Sequence, residues 1–536
     1  MSTGGPAAPV GARTPQAGLA AAALGVGAGQ AVALLVAPSA GPVAAVAGQV
    51  VALTPPALAG AATVGAGVGS RGTVVAGVLV VLTLAAAGSG ALSARTERPG
   101  TWGLAVLGLL GVAAAVTASG AGQLDVVPAS VALLVAVTAF RRLHRLAARI
   151  PALTPAGTLP DGRPARASLT RRRFLRTTAL AGAGGVALGA GAAVAAPLLP
   201  SGRLGPARAA LTARLRDLAA RGRIAAAPAL PAGAQVAGAA AFTTPVEDFY
   251  RIDTALRVPA VDPATWSLRV HGRVGRELTL TLDDLLAAPL VERWVTMACV
   301  SNDVGGDLVS TTRFTGVELA PLLARAAPDP AADQALSTSS DGWTAGSPSS
   351  LLLDPARGAL LALGMAGPDG PVALPPEHGF PVRIVVPGLY GYVSATKWVT
   401  GIEFTTFAGR ADYWRARGWD PPGPMETASR IESPSSYASV PAGRVVVTGT
   451  AWAVPRGISR VEVGTQGGPW VDAELAPVPA GGATWRQWRA ELDLVAGGYT
   501  LLCRATDGDG VVQTGQRRSP LPGAATGWPS RSLTVT

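Results

Sequence analysis

Few side chains in this 536-residue sequence are equipped for chemistry. It has two cysteines, Cys299 and Cys503, and three histidines, His144, His271 and His378. Cys299 lies in VTMACVSNDVGGDL, residues 295–308, where an apolar strand runs into a glycine-bent loop bearing Asn302 and Asp303. Three roles suit it. It is a buried core thiol, the commonest fate of a free cysteine. Or it is a nucleophile, which needs a base; His378 is the available one, since His271 falls inside an alternating strand and His144 in a basic loop. Or it is a metal ligand. One cysteine and one histidine cannot build a tetrahedral zinc site, so such a metal would arrive with most of its ligands inside an organic cofactor. A second stretch, HGFPVRIVVPGLYGYVSATKWVTGIEF, residues 378–404, gathers His378, Arg383, Ser394 and Lys397 around a glycine-broken loop between two apolar strands. Basic groups and exposed backbone amides of this kind cradle phosphate; a solvated hairpin with scattered charge is the plainer reading. Cys503 reads as a buried structural thiol on an inward strand position beside Leu501.

The elements that must position these groups begin only about halfway along the chain. Hydrophobic residues make up 49% and charged residues 14%, and mean hydropathy is +0.35, too apolar for an ordinary soluble protein. Residues 17–37, 72–92 and 102–121 each suffice to cross a hydrocarbon core of roughly 30 Å. A shorter fourth span is expected from Val126 to Phe140 and a fifth from Leu175 to Leu198. The net charge of +11 is local: ten arginines and one acid, Asp161, lie between Arg141 and Arg176. A nucleic-acid binder would carry its basic stripe on a folded domain, so no nucleic-acid partner is expected. Positive residues favour the cytoplasm. The pattern therefore predicts an inside N-terminus, multi-pass insertion in the cell membrane, and everything after about residue 200 on the extracytoplasmic side. TRRRFLRT, residues 170–177, resembles a twin-arginine export motif, and proteins exported folded often carry a cofactor inserted beforehand.

The expected division is a four-span region at 1–145, a basic cytoplasmic loop at 146–174, a fifth span at 175–198 and a linker at 199–240. A mixed α+β domain follows at 241–430, in which Asp283 is placed to cap a helix, and then short alternating strands at 431–536 with the rhythm of an immunoglobulin-like β-sandwich. Within 199–240, LTARLRDLAARGR has the pattern of one amphipathic helix.

CVSNDVGGDL, RFTGVELAPLL and HGFPVRIVVPGLYGYVSATKWV, in that order, resemble the sulfite oxidase family of molybdopterin enzymes over about residues 245–536. The arrangement of spans before this domain is similar to membrane-anchored actinobacterial members. The resemblance implies a molybdenum–molybdopterin cofactor with Cys299 as the catalytic thiolate on the metal, and His378, Arg383, Ser394 and Lys397 holding the pterin and its phosphate. FYRID, residues 249–253, matches the family's opening segment and adds Tyr250 and Asp253 to the cofactor contacts. The GTAWA, WRQW and RATDGDGVVQ elements resemble the family's dimerisation domain and imply a homodimer. Where animal and plant members place sulfite-binding arginines after the cysteine, this chain has Asp303 and Val304. Asn302, Asp303, Arg313 and Arg410 are therefore the substrate-side candidates. Sulfite is a dianion needing desolvated positive charge, so the sequence favours a neutral S-oxide or N-oxide, as for the periplasmic methionine-sulfoxide reductases of the same fold family, over sulfite. Other expectations are a small-molecule substrate, no haem, since His144 lies beyond the fourth span, and a cytochrome or quinone as electron partner. A thiol enzyme using Cys299 and His378, and a non-catalytic surface binding protein, are the rival readings.

Overall fold

The N-terminal apolar runs fold as helices whose small residues let them pack closely. The computed structural model describes residues 14–36, 41–53, 71–117, 124–149, 166–195, 200–255, 258–420, 423–481 and 483–536. The chain divides into two units, one built mainly from residues before Arg203 and one mainly from Leu204 onward. In the first, α1 (Thr14–Val36), α3 (Arg71–Leu92), α4 (Arg98–Val116) and α5 (Val126–Ala148) are long and apolar enough to cross a membrane. Between α1 and α3 lies α2 (Pro42–Leu53), whose 12 residues are too short for a span and which the charge pattern did not reveal. A sixth helix, α6 (Arg166–Ala195), contains most of the expected fifth span and the arginine motif. Most of the basic loop, 150–165, lies outside the described residues. A Cβ at Gly27 would come within 2.1 Å of the Gly185 carbonyl, and one at Gly18 within 2.3 Å of the Ala86 carbonyl. Only glycine permits such close helix approach.

Helix α5, the expected fourth span, runs about two turns past the expected end at Phe140. Hydropathy falls there because of arginines, but Phe140, Leu143, His144 and Ala147 continue a buried i, i+3, i+4, i+7 face. His144 is thus inside α5, not beyond it. Its Nε2 lies 2.9 Å from the Ser93 carbonyl oxygen, while Glu97 pairs with Arg141 and Arg145, each at 3.4 Å.

Most of the stretch expected as a linker, from Leu204 to residue 240, is instead built into the second unit. Helix α7 (Pro200–Ala220) buries Leu211 and Leu215 in the main core. β1 (Ile224–Ala225) joins the edge of a six-stranded sheet ordered β1, β4 (Leu290–Ala298), β5 (Val309–Glu318), β8 (Leu360–Gly367) and β10 (Arg383–Val385), with β9 (Gly370–Ala373) paired to β8. A five-stranded sheet runs β3 (Leu278–Thr281), β2 (Ser267–Gly272), β11 (Val399–Thr405), β6 (Gln334–Ser339) and β7 (Thr344–Pro348). The helix Leu282–Ala287 is capped by Thr281 in a reciprocal pair with Asp284. Asp283, the expected cap, bonds Arg214 at 2.7 Å instead.

From Ala428 to Val535 two sheets, of four and five strands, enclose a second core of Val447, Val463, Trp488, Leu501 and Cys503. Cys503 is fully buried beside Ser429, and burial pushes its thiol up to about 12. This sandwich is clamped to β4: the Trp485 amide donates to the Thr296 hydroxyl at 2.6 Å, and the Thr296 amide to the Ala483 carbonyl at 2.8 Å.

Candidate active site

β4 places the thiol. Its last residue, Ala298, pairs with Val309 of β5, and the chain then turns through Gly305, whose φ of +76° suits glycine. The turn is tied by the Cys299 amide donating to the Leu308 carbonyl and by the Leu308 amide donating to Asn302 Oδ1, each at 2.9 Å. Cys299 is buried, with Sγ 2.9 Å from the Ser301 hydroxyl. Burial pushes the thiol up, opposed by Ser301 and by the charge of Lys397.

Two turns of the 378–404 stretch build a basic wall beside it. Gly379, at φ +105°, sits against Lys397 and Arg383: a Cβ there would lie 3.1 Å from Lys397 Cα and 3.0 Å from Arg383 Cβ. Lys397 Nζ donates to Asp253 Oδ2 at 3.1 Å and to the Glu377 carbonyl at 2.9 Å. The next residue, Trp398, is buried at φ +49°, a backbone region costly for a bulky side chain. Arg383 is buried over the Phe314 ring, donates to the His378 carbonyl at 3.3 Å, and makes no ion pair among the described residues. Burial holds it down to about 10. His378 is held down to about 3 by burial, then by Arg383, Lys397 and Arg251. It is therefore neutral. Phe249 packs on both His378 and Tyr250, at 5.5 and 5.6 Å between ring centroids. The opening segment thus closes over the same wall. Ser394 spends its hydroxyl on the carbonyls of Leu389 and Tyr390.

A narrow cleft with free space of only about 20 Å³, roughly one water, lies beside the Cys299 turn. Ala298 and residues 302–305 form one wall. The opposite wall is Tyr390 with Thr427, Ser429, Gln513 and Thr526, the last four from the sandwich or the strand leading into it. No lysine, arginine or histidine is among the described residues lining it. Two arginines stand behind the lining, each with its own carboxylate. Arg430 bonds Glu432 and the Gly306 carbonyl, and Arg518 bonds the Thr526 hydroxyl and lies 3.7 Å from Glu426.

A family model, the oxidoreductase molybdopterin binding domain, matches residues 255–414. Sulfite oxidase of Gallus gallus is 30% identical over 321 residues, covering 50% of this chain and 68% of that protein. The uncharacterized oxidoreductase YuiH of Bacillus subtilis is 32% identical over 158 residues, covering 30% of this chain and 74% of that one. This chain belongs to the sulfite oxidase family. Mitochondrial sulfite oxidase of Macaca fascicularis is 31% identical over 301 residues, 47% of this chain. The chain spans about half the length of that relative, 54%.

The family model is of a molybdopterin-binding domain, and the residues present fit a phosphate-bearing cofactor. His378 Nδ1 and Arg383 Nε are buried with no hydrogen-bond partner among the described residues. Two such groups side by side are costly unless an external polar group meets them, and a buried, unpaired guanidinium suits a phosphate. Of the sequence-derived candidates, the structure gathers Tyr250, Asp253, His378, Arg383 and Lys397 on this wall, and Asn302 and Asp303 on the cleft. Arg313 and Arg410 are not brought there. Arg313 lies opposite Trp294, four residues along β5 from Val309 or about 13 Å, and pairs with Glu292 at 3.6 Å. Arg410, largely exposed, pairs with Glu403 at 3.2 Å. Sequence reasoning missed Tyr390 and the sandwich side of the cleft. Tyr390 stands inside the motif quoted for the basic residues, but a lone tyrosine there carries no signal without the fold.

Proposed function

We propose that the protein is a membrane-anchored, extracytoplasmic oxidoreductase that removes the oxygen atom from a small neutral S-oxide or N-oxide and delivers two electrons to it. The observation that carries the neutral substrate is the Cys299 turn, whose residues 300–308 bear no basic side chain, while Arg313 and Arg410 are held by Glu292 and Glu403. A dianion bound against that turn would lose its hydration with no countercharge from it in return. Molybdenum, when bound, supplies the two-electron oxygen-atom exchange. The chain's own contribution is to ligate through Cys299, to hold the cofactor's pterin and phosphate with His378, Arg383, Lys397 and the backbone around Ser394, and to close the opening segment over it through Tyr250 and Asp253. Oxide reduction takes two electrons and two protons from outside and releases the oxygen as water, so a cytochrome or quinone partner is required.

The rival thiol chemistry is not favoured, because the Cys299 thiol is pushed up and has Ser301, not His378, as its neighbour. Five spans with the N-terminus inside, use of the arginine motif for export, an immunoglobulin-like sandwich and a homodimer through it complete the reading. Purified protein assayed with sulfoxides and a reduced dye, and with sulfite and an oxidised dye, tests the substrate. Sulfoxide turnover is expected to exceed sulfite turnover in kcat/KM. Efficient sulfite oxidation with a micromolar KM would overturn the charge argument.

A further inference from the structure

A pocket of about 330 Å³ lies at one end of the sandwich, where the strand Arg486–Leu494 of one sheet begins beside the strand Ile458–Thr465 of the other. Small-molecule pockets run from roughly 300 to 1,000 Å³. It shares no lining residue with the basic wall or with the cleft at Cys299. Its charge is unbalanced. Arg456 is matched, since its Nε donates to Asp507 Oδ2 at 2.8 Å. Arg486 is not. Its Nε donates to the Ala476 carbonyl at 2.8 Å and its Nη1 to the Ile458 carbonyl at 2.9 Å, which fixes the plane of the guanidinium. No carboxylate pairs with it among the described residues, and burial pushes it below its usual range with nothing to oppose the shift. Thr484, two residues back, lines the same pocket and is 4% exposed. Its hydroxyl is buried without a hydrogen-bond partner among the described residues. The Ser459 hydroxyl, by contrast, is spent on the Asp507 carbonyl at 2.6 Å. Ile458 and Val478 supply apolar walls.

A half-buried guanidinium without a countercharge and a buried hydroxyl without a partner are both costly until an acceptor meets them. One unmatched positive charge suits a monoanion, and the two oxygens of a carboxylate can accept from the guanidinium and the hydroxyl together. A dianion would bring a second charge with nothing to meet it. We propose that this pocket binds a small carboxylate with a compact apolar body, its oxygens accepting from Arg486 and Thr484. The site also has a place in the fold. Thr484 stands between Ala483 and Trp485, whose backbones grip Thr296 of β4 three residues before Cys299. A ligand held there braces the clamp on the strand that carries the thiol.

The test uses the full chain, cofactor loaded so that the basic wall is occupied, in detergent at neutral pH. Calorimetry measures the affinity for isobutyrate, for its uncharged isostere isobutyramide, and for inorganic phosphate. Isobutyrate is expected to saturate with a Kd on the order of a millimolar, isobutyramide to bind at least tenfold more weakly, and phosphate at equal concentration to leave isobutyrate in place. Thr484→Val keeps the side chain's shape and removes a hydroxyl that the protein does not hold. It should melt no lower than the parent and bind isobutyrate roughly fivefold more weakly, as for one lost hydrogen bond. Arg486→Gln should weaken it tenfold or more; if that variant fails to fold, Thr484→Val and isobutyramide decide. Equal affinity for the acid and the amide would overturn the proposal, as would an isobutyrate affinity unchanged in Thr484→Val, or no saturation by about 50 mM. Displacement of isobutyrate by phosphate would overturn the assignment to a carboxylate.

Discussion

A buried thiol with a raised pKa is a poor nucleophile but a good reserved ligand, since only a metal's charge draws off its proton. Cys299→Ser should therefore leave the fold intact, with a melting temperature within about 2 °C of the parent. It should cut turnover by roughly three orders of magnitude or more; retained activity in a dye-linked assay would remove Cys299 from the metal. His378 gives a second prediction. The folded chain keeps it neutral down to about pH 3, whereas its ordinary value is 6.5. Between those values the unfolded chain binds more protons, so stability is lost as pH falls from about 6.5 towards 3 and is fully present above 6.5. In cofactor-free protein, the drop in urea midpoint between pH 7 and pH 4.5 should shrink in His378→Gln. An equal drop would place the titration elsewhere. Cys299, His378, Arg383 and Lys397 were legible in the sequence because each is a scarce or charged type inside an apolar motif. Arg313 and Arg410 were not separable from them, because the partners that occupy them, Glu292 across a strand pair and Glu403 back along the chain, emerge only from register and loop folding.

The basic wall depends on one backbone position. Gly379 lets the His378 turn lie against Lys397 with no room for a side chain. Gly379→Ala must adopt a strained φ and push the two turns apart, at about 1–3 kcal/mol. The expected result is a melting temperature lower by several degrees and protein purified with less than half the parent's molybdenum. Full molybdenum content at reduced stability would show that the wall tolerates the shift. At this scale, strand identity was legible from alternation, but ends were not. Helix α5 outran its apolar segment because a buried face continued under arginines, and Thr281 took the cap expected of Asp283 because its hydroxyl and the Asp284 carboxylate satisfy each other. The short α2 left no charge signature to find.

On the scale of the molecule, charge bias fixes the expected orientation. An enzyme reporter fused after residue 230 should be active only if it is outside the cytoplasm. Replacing Arg171 and Arg172 by lysine should trap the protein unexported, where normal export would reduce the motif to an ordinary anchor. The second half was legible as a family from its motifs, and the long apolar helices of the first from hydropathy. The segment joining them was legible only in part: LTARLRDLAARGR read as a helix, but the alanine, arginine and proline around it read as a spacer. In the fold, α7 sends Leu211 and Leu215 into the main core, Arg208 donates to the Ala373 carbonyl at 3.1 Å, and the Ala373 amide donates to the Thr212 hydroxyl at 3.0 Å. The practical consequence is where a water-soluble version may be cut. A gene trimmed to begin at residue 241, the apparent domain start, would strip two leucines, worth about 2 kcal/mol each, and an edge strand from the enzyme. It should collect in inclusion bodies, while one beginning at residue 200 should stay in solution.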